Sequence, residues 1–512
     1  MFVINRQRLI ILLTLSLIFT FGVFLRYKNI AGYNIVFDYD QIEDQLYTYT
    51  IALDRNLAII GRAVYGDPHL HHGVFYYYYN LIPFLLSSGN FLISVYWNIF
   101  FNASSALILF IFAKLIFKKS LPALLAAIIA ASSFEFIKFS NWLTIDTVAI
   151  ILVPLFFLGL WNYYEHKKWG LILSAVTGGL SIQTDLSFLY LILILIIYWF
   201  VFRPKIPDLK LLLLSALSFL VVISTLILTE IKLNFAGVKT LLNFSNISEA
   251  TSLSYTERLH LFFEDFLTNF TNNLFPQKPE LGIFLAGAVI LTLAYFLFSN
   301  KTPRQEKKGI YFLLIYLFAP ATTLLIGYHD KPWFLIGLPP AIALISGYAI
   351  SKLNNLYLII PIIFLIIGSN TNIILQRPNE AYKLFDNIYD STSYLKYQLQ
   401  VVDYTYLASG GQPFAINAVT YPLYYNGMWA YLYSWYGKSR YQYLPGWLGG
   451  DQLHPYDLLP KVNEEKIFYM IISETARIPD IYKNQGKFWA LKRGKLIEEK
   501  IFTGFTVLKM EK

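Results

Sequence analysis

Eleven long apolar runs decide what this chain can become. They occupy residues 9–25, 91–117, 120–137, 144–164, 169–184, 186–202, 211–230, 281–298, 310–327, 333–350 and 356–375. A helix that crosses a bilayer needs about 20 mostly apolar residues, and these runs approach or exceed that length. Of the 512 residues, 56% are hydrophobic and only 14% charged, against about 25% charged in an average soluble domain. The expected fold is therefore mainly α: a polytopic membrane protein with about 11 transmembrane helices. The first run follows Arg6 and Arg8, as a secretory signal would. No small-residue cleavage site follows it before Arg26-Tyr27-Lys28, so it is expected to remain as an uncleaved first span.

The basic residues orient these runs. With a cytoplasmic N-terminus, the inner segments hold Arg6/Arg8, Lys118/Lys119, Lys167/Lys168, Arg203/Lys205/Lys210, Lys301/Arg304/Lys307/Lys308 and Lys352. Every short loop rich in Lys and Arg then lies on one side, as retention of positive charge in the cytoplasm requires. The same rule divides the stretch 169–202. Basic pairs flank it on both ends, so the chain crosses an even number of times, with an outer turn at Gln183-Thr184-Asp185. The outer face receives the loop 26–90, the loop 231–280, the link Tyr328–Lys331 and the tail 376–512.

That tail has strand-like runs, Ile467–Ile472 and Phe502–Leu508, between Gly, Pro and Asn turns. A small C-terminal α/β extracytoplasmic domain is expected over 376–512, after a membrane domain over 1–375. There is no Cys, so disulfides and thiolate chemistry are excluded. The net charge of +9 follows from Lys and Arg kept in inner loops and needs no nucleic acid partner. Walker and H-E-x-x-H motifs are absent, which argues against ATP-driven transport and zincin proteolysis.

Chemistry-bearing residues gather in the first outer loop. It reads FDYDQIEDQLYTYTIALDRNLAIIGRAVYGDPHLHHGVFYYYY over 37–79. Asp40 stands where an N-cap belongs, with Glu43 three residues on as in a capping box. Gln41–Asn56 is amphipathic and Val74–Leu86 short and apolar, so both are expected as interfacial helices. Asp38 and Asp40 have three readings: a general base, a metal ligand, or a cap and a turn residue. His69, His71 and His72 are three of the 7 histidines. They suit phosphate, a metal or a proton relay, or else an exposed polar turn.

His329-Asp330-Lys331 holds charge at a short outer link. There Lys331 either neutralises a lipid phosphate or snorkels to the interface. Asp146 and Asp185 are read as helix-end residues. The Tyr- and Trp-rich stretch 421–443 suits packing or the interface, and secondarily a sugar ring.

An inner N-terminus, acids early in a long first outer loop, Tyr39-Asp40-Gln41 before a helix, HHGVFYYYYNLIPFLL after it, many spans and an outer tail form a pattern. It resembles the polyprenyl-phosphate-sugar-dependent glycosyltransferases of the GT-C superfamily. The similarity extends to prokaryotic relatives of protein O-mannosyltransferases and of the aminoarabinose transferase of lipid A. The resemblance implies a lipid-phosphate sugar donor docked at the outer surface and an acceptor glycan, lipid or protein. It also implies transfer with inversion by a first-loop carboxylate.

Asp40 matches that carboxylate best and Asp38 is its rival, since members often carry Asp-Glu where this chain has Asp40-Gln41. His71, His72, Tyr76, His329 and Lys331 match positions that meet substrate or phosphate. His71, Asp38 and His329 would be the ligands if a divalent metal takes part. A transporter or flippase, which would place charges inside its spans, and a glycan polymerase or ligase of the same superfamily are the competing readings.

Overall fold

The computed structural model describes residues 6–64, 67–87, 89–242, 254–326, 332–376, 389–450 and 458–512. Each of the eleven apolar runs falls on helical segments. By length and composition, five helices are fit to cross a membrane: Arg6–Asn29, Phe91–Phe117, Ile145–Tyr164, Pro279–Phe298 and Leu356–Gln376. A sixth span arises if Leu209–Val222 and Ser224–Lys232, bent by 56° at Ile223, count as one. The others, such as Ser120–Ser132 and Leu338–Ser351, are shorter than a full crossing. The chain is thus a multi-pass membrane protein. The expected division of 169–202 appears as Trp169–Thr184 followed by the helical stretch 186–202.

The basic loops meet one another at one end of the bundle. Lys118 lies 2.9 Å from Glu165, which also accepts from Gln305 at 2.6 Å. Lys168 reaches Asp208 at 2.5 Å, and Lys352 pairs with Glu306. Four loops assigned to one side by charge alone, together with Lys352, are therefore linked in space.

Close helix contact inside the bundle depends on small residues. Ala149–Tyr164 packs on Trp169–Thr184 at Gly159 and Gly170. A Cβ on Gly170 would lie 2.4 Å from the Gly159 carbonyl oxygen and 2.6 Å from the Tyr163 nitrogen. Between lipid-solvated helices such backbone approach supplies the packing that drives association. Gly170→Val is expected to destabilise the protein by about 3 kcal/mol or more, since the clash is with backbone. A thermal midpoint in detergent equal to wild type would refute this.

At the other end, α1 (Arg6–Asn29) leads through residues 30–38 into α2 (Tyr39–Leu53). A short hairpin of β1 (Ala63–Val64) and β2 (Asp67–His71) follows, then α3 (Phe75–Ser87) and α4 (Phe91–Phe117). The first loop thus contains two short helices, as expected. The cap of α2, however, is not Asp40. Asp38 is extended (φ −122°, ψ −168°), its side chain accepts from the helix start, and the Gln41 side chain returns to the Asp38 N–H at 2.8 Å. The capping box is Asp38/Gln41 rather than Asp40/Glu43. The helix starts early because the chain before it is held extended: the Phe37 N–H donates to the Ser393 carbonyl at 2.8 Å.

The C-terminal region folds into a five-stranded sheet of order β4-β3-β5-β7-β6. Its strands are β3 (Phe414–Val419), β4 (Gly446–Trp447), β5 (Ile467–Ser473), β6 (Lys495–Phe502) and β7 (Phe505–Glu511). β3 is parallel to β4 and β5, and β7 is antiparallel to β5 and β6. β7 begins three residues later than the sequence pattern suggests, because Thr503 and Gly504 turn the β6–β7 hairpin.

β5 is buried on both faces, which explains its unbroken apolar run. Ile467, Tyr469 and Ile471 face a core shared with Leu395, Leu399 and Val402. Phe468, Met470 and Ile472 face Ala490 of the helix Asp480–Arg493. The first core also contains Phe37, Ile42 and Leu46. The sheet domain and the start of α2 are therefore one packing unit. The Tyr-rich stretch 421–443 serves mainly that core, with Trp429 and Tyr433 fully buried.

Candidate active site

The first two turns of α2 carry Asp40, Glu43 and Asp44, and the segment leading into the hairpin after it supplies a cation. Arg62 lies immediately before β1, fixed by its own backbone: its N–H donates to the Tyr77 hydroxyl at 3.1 Å and its carbonyl accepts from His72 N at 3.0 Å. Its buried guanidinium pairs with Asp40 and lies 3.7 Å from Asp44. Asp40 keeps 38% of its side chain exposed, whereas Asp44 is fully covered. Taking Asp44 out of water is only partly offset by Arg62, so burial raises its pKa to about 8. Glu43 is also raised, by burial first. Arg62 is pushed up despite burial by Asp40 and Asp44.

Two further acids face this cluster from the bundle. Asp146, in the turn Ile145–Val148, interacts electrostatically with Asp185, Arg62, Asp40 and Asp44. Asp185 accepts from the Ser187 N–H at 2.6 Å, the helix-end role expected of it. Asp146 begins a helix too, but it also belongs to the acidic cluster. The turn Gln183-Thr184-Asp185 docks the loop onto the bundle: the Gln183 side-chain oxygen accepts from Val74 and Phe75 N–H groups, each at 3.1 Å.

Asp38 and Asp40 have different surroundings although two residues apart. Asp38 is buried; one oxygen accepts from Tyr39 N at 2.8 Å, the other from Ser393 Oγ at 2.6 Å and Arg477 Nη1 at 3.0 Å. Its carboxylate is committed on both sides. Among the described residues Asp40 has one ion-pair partner, Arg62, and its side chain stays 38% exposed.

His71 and His72 are held mainly by other groups than these acids. His71 places Nδ1 2.8 Å from the Gly61 carbonyl oxygen and Nε2 3.0 Å from that of Pro68. His72 is buried, and burial with the nearby Arg62 charge holds its pKa well below the usual range. As a neutral ring it offers a hydrogen bond rather than a charge to a phosphate. Tyr76 is buried among Tyr79 and the Asp44 side of the cluster, and burial raises its pKa.

Among the described residues no three His, Asp or Glu side chains are arranged to hold a metal. Both ring nitrogens of His71 face backbone carbonyls and Asp38 faces Arg477, so these two do not fit the ligand set expected with His329. His329, Asp330 and Lys331 lie outside the described residues.

Sequence reasoning passed over Arg62, Asp44 and Arg477, and read Asp146 only as a helix-end residue. A signal for Arg62 was present: four acids stand between 38 and 44, and Arg55 and Arg62 are the only Lys or Arg from 29 to 113. Buried carboxylates need a cation, and two candidates were available.

No family model matches the sequence, and no curated protein matches it. Solved structures do. ArnT from Cupriavidus metallidurans in the apo state aligns with a TM-score of 0.59 at 10% identity, over 96% of this chain and 97% of that one. ArnT bound to undecaprenyl phosphate aligns at 0.60, again at 10% identity and over 96% and 97% of the two chains. Over 96% of its length this chain shares the fold of ArnT.

Proposed function

We propose that this protein is an integral membrane glycosyltransferase. It moves a sugar from a polyprenyl-phosphate-linked donor to an acceptor hydroxyl at the extracytoplasmic face, with inversion. One observation carries this reading: a half-exposed carboxylate, Asp40, beside a buried cation, Arg62, at the end of the bundle opposite the basic loops. Asp40 takes the proton of the acceptor hydroxyl, and the acceptor oxygen attacks the anomeric carbon. The carbon–oxygen bond to phosphate breaks and polyprenyl phosphate leaves as an anion. Positive charge near that anion lowers the barrier; Arg62 and the expected Lys331 are the groups for it. The fold shared with ArnT, which binds undecaprenyl phosphate, supports a lipid-phosphate donor.

The same reading gives about 11 crossings, a membrane domain over 1–375 and an extracytoplasmic domain over 376–512. The N-terminus is cytoplasmic, on the side of the linked basic loops. A transporter reading is less well supported, because among the described residues the buried acids Asp38, Asp44, Glu135, Asp146 and Asp185 collect at one end of the bundle rather than along it.

The test is turnover by the purified protein in detergent, where no gradient exists. Release of polyprenyl phosphate with formation of a glycosylated product is the expected result. A protein that moves lipid-linked sugar between leaflets of vesicles but never cleaves it is a flippase.

A further inference from the structure

Beside the shared apolar core, the sheet domain places one charged side chain, Arg477, on the carboxylate that caps α2, and no function has been given to that contact. We propose that Arg477 is a positioning residue: it fixes the first turn of α2, and with it Asp40, from the C-terminal domain. This rests on the reading of Asp40 as the base.

Residues 35–38 run between two distant parts of the chain. Val36 bridges to Trp142 on the bundle side and to Tyr394 on the other. The Leu395 N–H donates to the Ile35 carbonyl at 3.0 Å, and Gln398 Nε2 to the Phe37 carbonyl at 2.7 Å. Backbone is thus held firmly up to residue 37. The next group, the Asp38 carboxylate, is the N-cap, and its second oxygen is held by Ser393 and Arg477.

Arg477 is itself constrained on every side. Its Nη2 donates to Ser393 Oγ at 3.0 Å, its Nε to Thr475 Oγ1 at 3.3 Å, and Asp390 lies 3.8 Å away. Its guanidinium sits 4.5 Å from the centre of the Tyr421 ring. It projects from the turn after β5, the strand buried on both faces. A planar fork fixed at several points transmits the position of that strand to the cap.

Asp40 follows in the same helical turn, so a tilt of the cap moves it against Arg62. Arg62 cannot follow, because its own backbone is tied to Tyr77 and His72. The base is thereby set from two directions, by Arg62 from the hairpin and by Arg477 through Asp38. Misplacement of a reacting group by about 1 Å can cost about 100-fold in rate.

The experiment compares R477A, R477K, S393A and D40N, using a polyprenyl-phosphate sugar as donor. R477A is expected to lower kcat about 10- to 100-fold with the donor KM changed less than about twofold. R477K should recover part of the loss, since it restores the charge but not the fork. A merely structural contact would lower the amount of folded enzyme and leave kcat per folded molecule unchanged. If R477A does not fold, R477K and S393A carry the test, and wild-type kcat in both overturns the proposal. Full kcat in R477A with an inactive D40N removes the positioning role and leaves the base in place. Full kcat in D40N removes the base, and the positioning role with it.

Discussion

Asp40→Asn is expected to lower turnover about 100- to 10,000-fold, the range a positioned general base supplies. The substitution keeps volume and shape, and Asp40 is half exposed at a position that does not cap the helix, so the protein should stay folded. Initial rates at saturating lipid-phosphate sugar would measure the loss, and circular dichroism would confirm the fold. Asp38→Asn is the matched control. Asn caps a helix about as well as Asp, but it gives up the charge facing Arg477. Its loss should resemble that of R477A and stay below that of D40N. The reverse order, with D38N inactive and D40N near wild type, would transfer the base to Asp38. The geometry argues against that order, because both Asp38 oxygens already have partners while Asp40 has one among the described residues.

The bundle could be read from the sequence because hydrophobicity and charge act there without tertiary detail. Residues 169–202 were divided correctly by the sign of flanking charge alone, and the break falls at Thr184–Leu186. β5 was visible as an apolar run because both its faces are buried. The cap of α2 was misplaced for a reason outside the local sequence. Asp38 and Asp40 are both good caps, and Asp38 is selected by Ser393, some 355 positions away. The cluster around Arg62 was hidden similarly. Asp44 reads as one polar residue on an amphipathic helix, yet packing of α2 on α3, with Tyr47 stacked on Tyr77 at 4.7 Å, turns it inward. Arg477 had no signal at all, being one of many basic residues in the tail.

The second large effect is on stability, and it concerns Asp44 and Arg62. The folded-state pKa of Asp44 is raised to about 8 by burial, against about 3.9 for an unfolded aspartate. Between those values the folded chain keeps a proton that the unfolded chain has lost. Stability therefore falls as pH rises through that window, by up to about 1.4 kcal/mol per pH unit, and the fall ends above the folded pKa. Glu43, also raised, adds a fall of the same sign.

His72 acts oppositely. Its folded pKa is depressed, so the stability it contributes is lost as pH drops below about 6.5. The clean window for Asp44 is thus pH 6.5 to 8. There, wild-type thermal midpoints in detergent should decline with pH. Asp44→Asn should flatten most of the decline and exceed wild type at pH 8. Arg62→Ala should do the reverse. It leaves Asp40 without its cation and removes the charge that holds the Asp44 pKa down, so the midpoint should fall. Adding D44N to R62A should then recover part of that loss, because one stranded acid is gone. Parallel pH profiles for wild type and D44N would mean that Asp44 is ionised in the folded protein. Arg62 would then be shared equally between two carboxylates, and Asp40 would no longer be its principal partner.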